Sequence, residues 1–147
     1  MEKQPPIQMT FLEGESNIDE KKEYEYTIQM KNIKYKLIII KDSENIQFKI
    51  VNLDNIQMHY YYNIYSLNKI IFSLQLNSHL YKNLDQIIEK INKAYSDNNI
   101  SIIKDKKEFA KLKFTLIDEK SKKYYSILVL KKKDYEINEK FSILLME

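Results

Sequence analysis

The chain has 147 residues, with 24 basic and 21 acidic side chains, no cysteine, no tryptophan and a single glycine. That is one domain's worth of sequence, enough by surface scaling to bury roughly 70% of the area the unfolded chain exposes. The absence of cysteine excludes a disulfide framework, a zinc–thiolate site and a thiol nucleophile together. No uninterrupted apolar run exceeds that of Leu37 to Ile40, far short of the ~18 residues of a membrane span, and the first ten residues hold no apolar signal core. A soluble intracellular, cytoplasmic protein is expected. Every basic residue is lysine, and Ile, Lys, Asn and Tyr make up about half of the chain. We read that bias as the imprint of an AT-rich genome, so clusters of lysine carry less weight than usual. Lysine also lacks the bidentate fork that suits arginine to phosphate and base recognition.

Residues 1–22 hold both prolines, the glycine and a surplus of acid with few apolar groups, which reads as a flexible acidic arm. Residues 23–134 read as a single globular domain and 135–147 as a C-terminal amphipathic segment. From Tyr24 the pattern has period two, with Tyr24, Tyr26, Ile28 and Met30 on one face of a strand. Lys31-Asn32 forms a tight turn, and Ile33 to Ile40 a second strand. A polar break at Asp42 to Asn45 leads to a third strand through Ile46, Phe48 and Ile50, and the aromatic run from Met58 to Tyr65 gives a fourth.

Period two then gives way to helical spacing. Ser66 caps a short helix over Leu67 to about Leu74, and Gln75 to Lys82 is a polar elbow. Asn83 precedes Gln86 at capping-box spacing and opens a second helix with the stripe Leu84, Ile87, Ile88, Ile91 and Tyr95. Three strands follow: Ile100 to Ile103, a strand through Leu112, Phe114 and Leu116, and Tyr124 to Leu130, which is apolar on both faces and therefore central. Ile137, Phe141, Leu144 and Leu145 recur at helical spacing near the end. Parallel sheet is not expected, because strand and helix do not alternate. The fold class is α+β: a mainly antiparallel β-sandwich or barrel of about seven strands, a helical pair inserted between strands 4 and 5, and a short C-terminal helix.

This order, over about Tyr24 to Glu147, resembles the small head domain shared by the centriolar cartwheel hub protein and the scaffold proteins of DNA end joining. The resemblance is topological and rests on no diagnostic motif. It implies an interaction module without catalytic activity, used for self-association or partner docking, and a place near the cytoskeleton. That family continues into a long coiled coil, whereas only about three helical turns follow here, which puts a stalk-mediated parallel dimer in doubt.

Groups able to do chemistry are sparse. His59 and His79 are the only histidines and belong to no recognisable motif, and Asp42, Glu44 and Asp54 lack the spacing of a calcium loop. Gly14 is the one glycine and lies in the arm, so a phosphate-cradling loop is excluded. Asn99-Ile100-Ser101 matches a glycosylation sequon, without a secretion signal to give it meaning. No catalytic residue, metal, cofactor or small-molecule substrate is therefore expected. Tyr60, Tyr61, Tyr62 and Tyr65 alternate between the two faces of their strand, and with Phe141, Leu144 and Leu145 they are the candidate protein-binding residues, for a partner or a second copy of the chain. Rings that simply cover the sheet are the bland reading of the same run. Between Ile100 and Lys133 eleven lysines stand against four acids. Lys111, Lys113, Lys123, Lys131, Lys132 and Lys133 are the candidates for the alternative function, a module binding nucleic acid or an anionic membrane surface.

Overall fold

The computed structural model describes the backbone of residues 7–11, 21–54, 59–106 and 108–135. Strands β1 (Ile7–Phe11), β2 (Lys21–Met30), β3 (Ile33–Lys41), β4 (Asn45–Asn52) and β5 (His59–Ser66) precede helices α1 (Leu67–Ser73) and α2 (Leu84–Ser96). Strands β6 (Ile100–Lys106), β7 (Phe109–Ile117) and β8 (Lys123–Asp134) follow. All pair antiparallel in one sheet of order β1-β2-β3-β4-β5-β8-β7-β6. The sheet curls until β2 approaches β6, giving a nearly closed barrel. The seven expected strands are β2 to β8, with the helical pair between the fourth and fifth of them, and β8 is central, between β5 and β7.

One strand was not legible. Within the stretch expected to be an arm, Ile7–Phe11 form β1 against Lys21–Glu25 of β2. Its IQMTF sequence does alternate, but two prolines upstream and acids downstream mask a run of five residues. The expected C-terminal helix lies outside the described residues.

Local chemistry accounts for the turns in a chain almost without glycine. Lys31 and Asn32 both adopt positive φ, 50° and 67°, the requirement of the two-residue hairpin whose twist matches the strands it joins. Gln75 and Asn98 take the left-handed position after each helix. There Leu76 and Asn99 donate back to the carbonyls of Ile71 and Ala94, closing both helices as glycine would. Ser66 caps α1, and the side chains of Asn83 and Gln86 complete the capping box of α2. Asn83→Ala is expected to cost about 1 kcal/mol, read as a lower urea midpoint.

The core lies between the inner face of the sheet and the helices. Tyr26, Ile28, Leu37, Ile39, Phe48, Leu112, Phe114 and Leu130 meet Ile70, Leu74, Ile87 and Ile91. Helix α2 is also fastened to β2, the strand that approaches β6. The Tyr26 hydroxyl donates to Asn92 Oδ1, the Tyr95 hydroxyl donates to the Thr27 carbonyl at 3.0 Å, and the two rings meet edge to face at 4.9 Å. Thr27 lies beyond the part of β2 that pairs with β1, so a side chain serves its carbonyl on that edge. Near the other end of α2, Lys41 is nearly buried and its ammonium meets Asp85 at 3.0 Å.

Candidate functional site: the outer face of the sheet

Pairing register fixes which side chains share a face. On β5, Tyr61, Asn63 and Tyr65 point inward, opposite Ile50, Phe48 and Ile46, while Tyr60, Tyr62 and Ile64 point outward. The predicted tyrosine run is therefore split, as strand alternation requires. Tyr61 and Tyr65 are core residues, and Tyr65 packs edge-on against Phe48 at 5.7 Å. Tyr60 faces outward yet is buried under Tyr135, at 4.8 Å, with the Lys49 ammonium 4.2 Å from its ring centre. Tyr62 is half-buried, donates to Gln47 Oε1 at 3.1 Å and lies beneath Lys133. Phe141, Leu144 and Leu145 lie outside the described residues.

The strongest feature of the face is on β8. Tyr125, Ile127 and Val129 project outward at every second position and are 59%, 45% and 43% exposed, although they stand in the middle of a central strand. Across from them on β7 are Thr115, Lys113 and Lys111, and the Lys113 ammonium sits 4.2 Å above the Tyr125 ring. Ile103 of β6 lies opposite Lys111 and is also exposed. At the Tyr125 end, the Gln75 amide donates to the Tyr125 carbonyl and to Ser126 Oγ. One turn earlier on α1, Phe72 is the most exposed large apolar residue of the described chain, at 84%. The two-faced apolar character of the sequence implies a central strand, and β8 lies between β5 and β7. On its outer face no described helix or strand packs over Tyr125, Ile127 and Val129, which are left partly exposed beside the lysines of β7.

Lysines complete this surface. Lys111, Lys113, Lys123, Lys131 and Lys133 all project outward, opposite Val129, Ile127, Ile117, Phe109 and Tyr60 respectively. Lys132 faces the other way, beside Tyr61. Among the described residues no acidic side chain projects outward from β5, β7 or β8. Acids lie elsewhere: Glu23 and Glu25 are on the outer face of β2, where Glu25 pairs with Lys36 at 3.3 Å, and Asp118 and Glu119 are in the turn after β7. Burial and the neighbouring Glu25 push the Glu23 carboxyl above its ordinary value.

The histidines do not converge. His59 pairs with Asp134 at one end of β8, while His79 belongs to the elbow that packs by the Tyr125 end, about 30 Å away at the rise of a strand. Burial and then the charges of Lys132 and Lys104 hold His59 below its ordinary value. Two surface clefts flank the helices. One, of about 220 Å³, lies between α2 and β7 beside Lys90, Lys93 and Asp97. The other lies between the elbow and the β7–β8 turn, beside Asn77, Glu119 and Tyr124. Among the described residues no cluster of His, Asp and Glu is disposed to hold a metal, and no helix is long and apolar enough to cross a membrane.

Tyr124, half-buried in the second cleft, has its hydroxyl pushed up to about 12, by burial first and then by Tyr81, Asp118 and Glu119. Its phenol donates to the Leu74 carbonyl at 3.2 Å. The native state thus keeps a proton that the unfolded state releases near pH 10, so stability is full below that pH and is lost as pH rises towards about 12. Urea midpoints measured at successive alkaline pH values are expected to fall, and to fall less steeply in Tyr124→Phe.

No protein-family model matches the chain, and no curated protein matches its sequence. Among solved structures it is similar to the head domain of human CCDC61, with a TM-score of 0.54 over 78% of this chain and 98% of that one. Sequence identity is 4%, so the likeness is one of fold and not of surface chemistry. The chain has the architecture of a head domain, which is the topological resemblance that the order of its strands and helices implies.

Proposed function

We propose that the chain is a non-enzymatic protein-interaction and scaffold domain that acts by surface complementarity. The observation that carries this reading is the exposed row Tyr125, Ile127 and Val129 on the outer face of β8, where the strand pairs with β7, an apolar surface of the kind that marks contact with another macromolecule. Tyr62 borders the same face, and to the sequence stripe with Phe141, Leu144 and Leu145, apolar at helical spacing, we assign self-association. An intracellular, cytoskeleton-associated place accompanies that assignment. The test is the mass in solution, by light scattering, of the full chain and of a chain lacking Asn138 to Glu147. A species larger than a monomer that reverts to monomer on truncation is expected. A monomer in both cases, with unchanged stability, contradicts the scaffold role.

A second reading is favoured by the one-signed lysines of β7 and β8, which suit a polyanion such as nucleic acid or an anionic membrane. Its signature is an affinity that falls steeply with salt, because each neutralised phosphate releases a counterion. The absence of arginine restricts that reading to non-specific phosphate attraction.

A further inference from the structure

Resting on the interaction reading above, we infer that the outer face of the β7–β8 hairpin is a docking surface for an acidic, apolar-faced segment of a partner protein. Three features select that occupant. Tyr125, Ile127 and Val129 stand at every second residue along β8, an apolar row roughly 13 Å long. Lys111 and Lys113 lie directly across from the row on β7, about 5 Å away, and Lys131 continues it on β8. No described acid on β7 or β8 shares the face, so the one-signed charge of these strands favours a partner that brings carboxylates.

The same features disfavour the other occupants. A second copy docking by this face through a two-fold axis would set lysine against lysine. Nucleic acid supplies the negative charge, but Ile127 and Val129 offer it neither hydrogen bonds nor a stacking plane. A membrane supplies both charge and hydrocarbon. However, the row lies along the middle of a strand, so inserting it requires the curved sheet to lie flat on the lipid.

Binding to the full chain tests this, with fluorescence anisotropy for labelled soluble probes and co-sedimentation for vesicles. The probes are a peptide alternating glutamate with leucine and isoleucine, an oligoglutamate of equal charge, an oligothymidylate of equal charge, and vesicles containing phosphatidylserine. The alternating peptide is expected to bind at least about tenfold more tightly than oligoglutamate, the gain from burying a few aliphatic side chains. Ile127→Ser with Val129→Ser removes that difference and leaves oligoglutamate binding unchanged. Lys111→Glu with Lys131→Glu abolishes binding of both peptides. All four positions face outward, and unchanged urea midpoints establish that the fold is intact; if the serine pair lowers stability, the uncharged Ile127→Gln carries the same reading. Equal binding of the two peptides, insensitivity to Ile127 and Val129, or tighter binding of the oligothymidylate or the vesicles overturns the inference. Those results leave the mass measurement untouched, and a failure of self-association leaves the peptide result standing, so the two readings fail separately.

Discussion

Tyr26→Ala is expected to destabilise the domain by about 3 to 5 kcal/mol, a large share of the 5 to 15 kcal/mol typical of a folded domain. Tyr26 is 1% exposed on β2, edge-on to Tyr95 of α2, and its hydroxyl is the donor to Asn92. The substitution empties the space where the helix closes the sheet, and it deprives a half-buried amide oxygen of its donor. Tyr26→Phe keeps the ring and removes only the hydrogen bond, so a loss of about 1 to 2 kcal/mol is expected. Urea unfolding of the two variants separates packing from hydrogen bonding. Near-equal losses would mean that the ring itself contributes little and that α2 is anchored elsewhere.

The second large effect is a contrast between faces. Phe48→Ala is expected to cost about 3 to 5 kcal/mol, because Phe48 is fully buried on the inner face of β4 and packs against Tyr65. Ile127→Ala, on the outer face of β8, is expected to cost about 1 kcal/mol or less, because its side chain is half in water and leaves no cavity. Equal losses at the two positions would mean that the outer face of β8 is covered in the isolated chain, and would remove the basis for docking there.

Much of this architecture is legible in the sequence, because one-sided burial writes itself as period two or 3.6. The turn at Lys31-Asn32, the cap at Ser66, the box of Asn83 with Gln86 and the stripe of α2 all follow from local chemistry. The split of Tyr60, Tyr61, Tyr62 and Tyr65 between two faces follows from alternation alone, but their separate fates do not. Tyr60 is buried on the outer side because Tyr135 and Lys49, distant in sequence, come to rest on it. β1 escaped notice because it is short and set among residues that disfavour strands. Apolar residues on both faces place β8 inside the sheet, where it lies between β5 and β7, but do not say what meets its outer row. An apolar residue at a strand position signals burial, yet nothing local distinguishes burial by the chain itself from burial by another molecule. For the lysines, parity along β7 and β8 placed Lys111, Lys113, Lys123, Lys131 and Lys133 together and set Lys132 apart.

The central claim is that this domain is a scaffold that associates with copies of itself through apolar surface. The measurement that tests it most directly is the absolute mass of the full chain by light scattering across a wide concentration range, at low and at high salt. The account predicts a species larger than a monomer that grows with concentration and survives high salt, as association through apolar surface does. A monomer at every concentration and in both salts would contradict it.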